Sequence, residues 1–435
     1  MAKTRLLAIT LAAATAFTMA ACNQNPEPAI LGQPDTLWQK ANDPKPGLPW
    51  VVGLGDSYSS GEAGRWASNG SNNAQYDSSG GWLVGTVDQV YGDSPQGTES
   101  IPFCNRAATA PAFVGAGWNT KEFACSGAKT TSFVSTGGRV KPGIDFVNAT
   151  TPYGQVTGQA LMLQQFAANH DVRVVTMSIG GNDMGFSDVI SDCLEAFLTP
   201  LNSKTCSQST PVGSMVNDAA KSVLTQSVAN AVLNINKAMT AAGKSPKDWR
   251  LLLFTYPSPI PNPAQMQYSE GYDRQVKGGC GMLDADLLWS NTVLIPYMDQ
   301  IISGAAVTAK KANPDLAPVT VLNTNAALDG HRLCEVGTSR PEAGTGLPPS
   351  QFGEGVEWFR FVSVIVQKQF PESTDAIEAM HPNYFGQRAL ATCAARALEF
   401  PGTPPALICQ QDGTTAYDQQ SPPLLTNVRV KPPTP

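Results

Sequence analysis

Four short stretches, 50–54, 173–179, 250–255 and 319–322, are apolar almost from end to end. A strand with one wet face alternates polar and apolar residues; unbroken apolarity means that both faces are covered, as in a parallel sheet between helices. Helical periodicity falls between and after these runs, at 158–168, 216–242, 283–311 and 384–398. In the third, Leu283, Leu287, Leu294, Met298, Ile301 and Ile302 lie mostly on one face. Strands alternating with amphipathic helices predict an α/β fold: a single three-layer α/β/α domain with a central parallel sheet, over residues 50–400. With 42% hydrophobic residues in 435, the chain has enough apolar material for one large core. No internal repeat stands out.

The ends read differently. Lys3 and Arg5 precede an apolar run, 6–19, too short and too Ala-rich for a membrane span. The run closes on Met19-Ala20-Ala21-Cys22, which resembles the lipobox of bacterial lipoproteins. That resemblance implies a signal peptide over 1–21, a lipid on Cys22 and membrane contact through it. Met19 stands where Leu or Val is usual, so ordinary signal-peptide cleavage stays open. Either way the chain is expected to be exported, as a cell-surface or periplasmic lipoprotein or as a secreted protein. Residues 22–49 read as a Pro-rich tether, and 401–435 as a loosely packed Pro-rich tail. A net charge of −6 with 15% charged residues leaves no basic footprint, so nucleic acid is not an expected partner.

Setting Cys22 aside leaves eight cysteines, an even number in an exported chain, which implies disulfides. Zinc is disfavoured because no Cys-x-x-Cys pair occurs and there are only three histidines. Nearest-neighbour pairing predicts Cys104–Cys125, Cys193–Cys206, Cys280–Cys334 and Cys393–Cys409. Two Gly-rich excursions, 64–101 and 337–357, are candidate rims of a cleft. Trp66, Trp82, Phe352 and Trp358 in or near them are candidate contacts for an acyl chain or a sugar, or else packing residues.

The first apolar run ends in Gly55-Asp56-Ser57-Tyr58-Ser59-Ser60-Gly61. The carboxyl end of a buried parallel strand is where α/β folds bind ligands, and the glycines permit a tight turn that exposes Ser57. Two familiar readings fail by one residue each. A dinucleotide fingerprint needs glycine where Tyr58 stands, and an α/β-hydrolase elbow needs it where Ser59 stands.

Four blocks in order resemble the SGNH, or GDSL-type, hydrolases, in particular their secreted bacterial lipases and esterases. They are Gly55-Asp56-Ser57-Tyr58-Ser59-Ser60-Gly61-Glu62, Ala124-Cys125-Ser126-Gly127-Ala128, Ser178-Ile179-Gly180-Gly181-Asn182-Asp183 and His381-Pro382-Asn383. The resemblance implies a flavodoxin-like fold with Ser57 as nucleophile and His381 as base. It makes the Ser57 and Gly127 N–H groups and the Asn182 side chain the oxyanion hole. Ser126 reads as local structure.

Acyl transfer needs such a set: a nucleophile, a group to take its proton, and donors aimed at the developing oxyanion. The base must be His170, His331 or His381. His170 sits in a polar turn before a strand, and His331 lies beside Cys334. Pro382 keeps His381 out of a regular helix, so loop placement and the resemblance agree on it. For the acid that orients the imidazole three readings stand: Glu378, Asp375, or none, with a backbone carbonyl completing a dyad. The expected activity is hydrolysis of carboxylic esters without metal or organic cofactor. A polysaccharide deacetylase-type esterase, a phospholipase and a non-catalytic glycan- or lipid-binding lipoprotein are the alternatives.

Overall fold

The strand β1 (Trp50–Gly55) is buried at all six positions, as unbroken apolarity requires of a central strand. The computed structural model describes residues 40, 42–66, 90–199, 204–339, 355–363, 373–412, 424–425 and 427–433. In the main sheet β1 is followed by β2 (Asn119–Glu122), β3 (Val172–Ser178), β4 (Arg250–Phe254), β5 (Val319–Ala326), β6 (Ala406–Gln411) and β7 (Val428–Lys431). Their spatial order is β7-β6-β5-β4-β3-β1-β2. All neighbours pair parallel except β6 and β7. The chain steps from β1 to one side for β2 and to the other for β3. That reversal opens a crevice at the carboxyl ends of β1 and β3.

The helices used below are α1 (Ser57–Ser60), α2 (Gln159–Ala167), α3 (Gly181–Met184), α4 (Phe186–Leu198), α5 (Asp218–Ala241), α6 (Ile295–Ala312) and α7 (Tyr384–Glu399). Helices α2, α5 and α6 pack together as one layer, while α7 packs on β5, β6 and β7. The expected helix over 283–311 is divided into Asp284–Trp289, a widened turn at Ser290–Leu294, and α6. Pro296 in the first turn of α6 has no N–H to continue a regular ladder, which accounts for the widening. α7 is buried on nearly every side. Its buried Arg388 donates to the carbonyls of Thr109 (3.2 Å) and Phe113 (2.9 Å), so its charge is met by backbone oxygen.

The described residues within 401–435 include two strands of the main sheet, β6 and β7, with Leu407, Cys409 and Val428 buried. The pairing of β6 with β5 joins residues some eighty positions apart, such as Ala406 with Val321, so no local pattern announces it. Lys45, inside the expected tether, is tied to the domain: its N–H donates to Asn119 Oδ1 at 2.9 Å. β2 and α4 had no counterpart in the sequence reading. β2 is Asn-Thr-Lys-Glu, an edge strand paired with β1 and tied down by Asn119 Nδ2, which donates to Lys45 O (3.0 Å) and Leu48 O (3.2 Å).

The four disulfides are Cys104–Cys125, Cys193–Cys206, Cys280–Cys334 and Cys393–Cys409, the expected pairs. Cys22, Trp82 and Phe352 lie outside the described residues, as does the side chain of Asp375. No helix among the described residues is long and apolar enough to cross a membrane.

Candidate active site

The end of β1 is held from both sides. Gly55 has φ +123°, and a Cβ there would lie 2.1 Å from the Ser178 carbonyl oxygen of β3, so only glycine fits. The buried Gln159 accepts from Gly55 N–H (2.7 Å) and donates to Gly55 O (2.9 Å) and Pro142 O (2.8 Å). Asp56 then caps α1, accepting from Tyr58 N–H at 3.1 Å and from the Tyr256 hydroxyl. Burial pushes its carboxyl up to about 7 despite those two donors. Ser57 is the first residue of α1, at the switch point between β1 and β3.

His381 reaches Ser57 from the far end of the chain. Its Nε2 is 2.7 Å from Ser57 Oγ, across 324 positions of sequence. Its Nδ1 is 3.0 Å from the carbonyl oxygen of Ala379. A carbonyl only accepts, so Nδ1 carries the proton and Nε2 presents its lone pair to the serine hydroxyl, the tautomer a general base needs. The turn bearing the ring has Met380 at φ +62°. It is pinned by Tyr58 Oη donating to Met380 O (2.9 Å) and Arg360 N–H donating to His381 O (2.9 Å).

Glu378 does not orient the imidazole. It is fully buried, and its carboxylate takes Arg65 Nε (2.7 Å) and Nη2 (2.8 Å), Trp66 Nε1 (2.7 Å) and the Tyr91 hydroxyl. A carboxylate removed from water is stable only with such partners, and here they lie away from the ring. Among the described residues, what meets the ring at Nδ1 is thus the backbone carbonyl of Ala379 and not a carboxylate.

On the other side of Ser57, Gly127 sits at φ +74° in a turn that is bound firmly. Cys125 is tied to Cys104. Lys141 Nζ donates to Ser126 O (2.6 Å) and Phe103 O (2.7 Å). Asp183 accepts from Thr130 N–H (3.0 Å) and Oγ (2.6 Å), which joins this turn to α3. Asn182, in α3, donates one amide hydrogen to Ala128 O at 3.1 Å; an amide has two. Ser57, Gly127, Asn182 and His381 all line one cleft of about 740 Å³.

Glu62 lines the same cleft and went unassigned in the sequence reading. It is buried, accepts from Asn105 Nδ2 (2.8 Å) and Ser126 Oγ (2.7 Å), and stands 3.4 Å from His381 Nε2. The available signal was a carboxylate five positions after Ser57, just beyond the glycine that ends α1. Ser126, read as local structure, is thus part of this network. The other histidines are elsewhere. His170 stacks on Phe166, with ring centroids 3.9 Å apart. His331 stacks on Trp358 at 3.7 Å. Trp66 and Trp358 are fully buried packing residues and do not line the cleft.

One wall of the cleft, α4, carries an apolar stripe beside Ser187, Asp188, Ser191 and Glu195. Phe186, Ile190, Leu194 and Leu198 recur every four residues along α4, one stripe about 18 Å long. Ile377, Met380 and Val362 also line the cleft.

No protein-family model matches the chain, and no curated protein matches it. Solved structures that resemble it include the extracellular lipase from Streptomyces rimosus, at 17% identity and TM-score 0.41, covering 81% of this chain and 98% of that one. Another is phospholipase A1 from Streptomyces albidoflavus, at 19% and 0.42, covering 80% and 97%. A third is a carbohydrate acetylesterase from Sinorhizobium meliloti, at 11% and 0.30, covering 81% and 98%. At these identities and scores the likeness assigns no activity to this chain.

Proposed function

We propose that this protein hydrolyses carboxylic esters through an acyl-enzyme on Ser57. The observation that carries the reading is the 2.7 Å contact between Ser57 Oγ and a His381 Nε2 whose tautomer is set by Ala379 O. His381 takes the hydroxyl proton as Ser57 attacks the carbonyl carbon. The oxyanion meets the N–H groups of Ser57 and Gly127 and the second amide hydrogen of Asn182. His381 then protonates the leaving alcohol and activates the water that releases the acid. The apolar stripe on α4 supports an acyl chain longer than acetyl, which favours a lipase- or phospholipase-like substrate over an acetylated polysaccharide. Four disulfides support work in an oxidising, extracytoplasmic setting, and lipidation of Cys22 belongs to the same proposal.

The test is a rate series on p-nitrophenyl esters from acetate to palmitate, with an organophosphonate as probe of Ser57. Hydrolysis, and labelling lost in Ser57→Ala and in His381→Ala, are expected. A folded chain that neither turns over esters nor takes the label overturns the reading.

A further inference from the structure

Among the described residues, the imidazole of His381 meets a neutral carbonyl at Nδ1, and Glu378 faces Arg65. The charge that a triad acid brings to its histidine is missing from that side. A carboxylate does stand on the other side. Glu62 Oε2 lies 3.4 Å from His381 Nε2, the nitrogen that also meets Ser57. We propose that Glu62 is the acid of this site, a positioning residue that stabilises the protonated His381 from the Nε2 edge. The inference rests on the ester-hydrolase reading and deepens it.

Three observations support it. Glu62 is fully buried, and its two hydrogen-bond donors among the described residues, Asn105 and Ser126, are neutral, so a proton taken by His381 places a cation directly beside it. The carboxylate is fixed in place: Asn105 and Ser126 directly follow the two cysteines of the Cys104–Cys125 disulfide, and Gln387 Nε2 on α7 holds the Glu62 carbonyl at 2.9 Å. Finally, burial pushes the carboxyl of Glu62 up from its ordinary value, and the charge of His381 is the first influence that pulls it back, ahead of Ser126 and Asn105.

The step balances without a further reactant. The Ser57 Oγ–carbonyl carbon bond forms, the carbonyl π pair moves to oxygen, and the serine proton passes to Nε2. Glu62 takes no proton; the new N–H is shared between its Oε2 and the reacting oxygen, a charge-assisted bond absent from the ground state.

Other ionisable groups surround the pair. Asp56 caps α1, Tyr58 lies in it, and Tyr256 follows β4. Arg139 and Lys141 line the cleft, and Glu378 acts on Glu62 through space, with Arg65 bound to it. Glu62→Gln leaves all of these in place, so a comparison with the unaltered protein isolates the one charge.

The experiment is the pH profile of kcat/KM on p-nitrophenyl butyrate with the full chain. Glu62→Gln is expected to lower the plateau at least about tenfold and to move the acid limb to lower pH by about one unit, since the charge favouring the protonated ring is gone. In Ser126→Ala the oxygen that faces the ring, Oε2, loses its competing donor while Asn105 keeps Oε1; the limb moves to higher pH. If Glu62→Gln fails to fold by circular dichroism, the direction in Ser126→Ala decides. A limb that stays put while thermal stability falls means a structural role and overturns the proposal. An active unaltered protein with an unmoved limb in both variants counts against Glu62 alone; an inactive unaltered protein overturns this proposal together with ester hydrolysis.

Discussion

His381 donates a hydrogen bond from its Nδ1–H to the carbonyl oxygen of Ala379, 3.0 Å away and two residues upstream. A backbone carbonyl fixes the ring and its tautomer without adding charge, and it cannot be removed by side-chain substitution. The acidic residue nearest in sequence on that side, Glu378, is thereby released to hold Arg65, Trp66 and Tyr91 together. The orientation of the proposed base and the packing behind it are thus served by neighbouring residues of one short turn.

Glu378→Gln should therefore be a stability variant. Taking the charge from a buried ion pair, with side chains 7% and 0% exposed, is expected to cost about 3–5 kcal/mol. Turnover per folded molecule should stay within about tenfold of the unaltered protein, far less than the loss of a triad acid. Denaturant unfolding beside active-site titration checks both. A large loss of turnover with unchanged stability would contradict the dyad.

Asn182→Ala removes a donor from the proposed oxyanion hole while giving up only the 3.1 Å bond to Ala128 O. The expected loss is about 10²–10³ in kcat with KM little changed. Steady-state kinetics decide it, and an unaffected kcat excludes Asn182 from that role.

The stripe on α4 predicts a chain-length effect. Ile190→Trp or Leu194→Trp fills the apolar stripe about one and two turns beyond Phe186. Hydrolysis of long-chain p-nitrophenyl esters should fall while that of the acetate ester persists. Parallel loss at every chain length would show that the acyl group lies elsewhere.

Asp56 predicts a pH dependence of stability. Its folded carboxyl is raised to about 7 by burial, so between about 4 and 7 the folded state binds the proton that the unfolded state has lost. Stability from this group is present below about 4 and falls as pH rises through about 7. The unaltered protein minus Asp56→Asn should lose stability over that window, measured by urea unfolding at a series of pH values. A difference that does not change with pH would mean that Asp56 stays ionised.

What was legible from residues alone was local or repetitive. Unbroken apolar runs have few alternatives to buried strands, and the core strands β1, β3, β4 and β5 lie at or within a few residues of those runs. Helices α2, α5 and α7 follow 3.6-residue periodicity in the same way. The four disulfides close loops between nearest cysteines. β6, β7 and β2 were not legible, because strands at or near a sheet's edge are held by backbone bonds to distant partners and need little apolar pattern.

The candidate site divides along the same line. Ser57, Gly127, Asn182 and His381 stood out in the sequence because each sits in a short block that resembles a known family's motif, and such blocks are contiguous in sequence. Which carboxylate serves His381 was decided by tertiary structure alone. Glu378, three residues from the histidine, is drawn off by Arg65 across 313 positions, and Glu62, more than three hundred positions away, comes to 3.4 Å of the ring. Proximity along the chain fixes what a backbone can offer, such as the Ala379 carbonyl. Where a buried charge ends up depends on which partners the folded core brings to it.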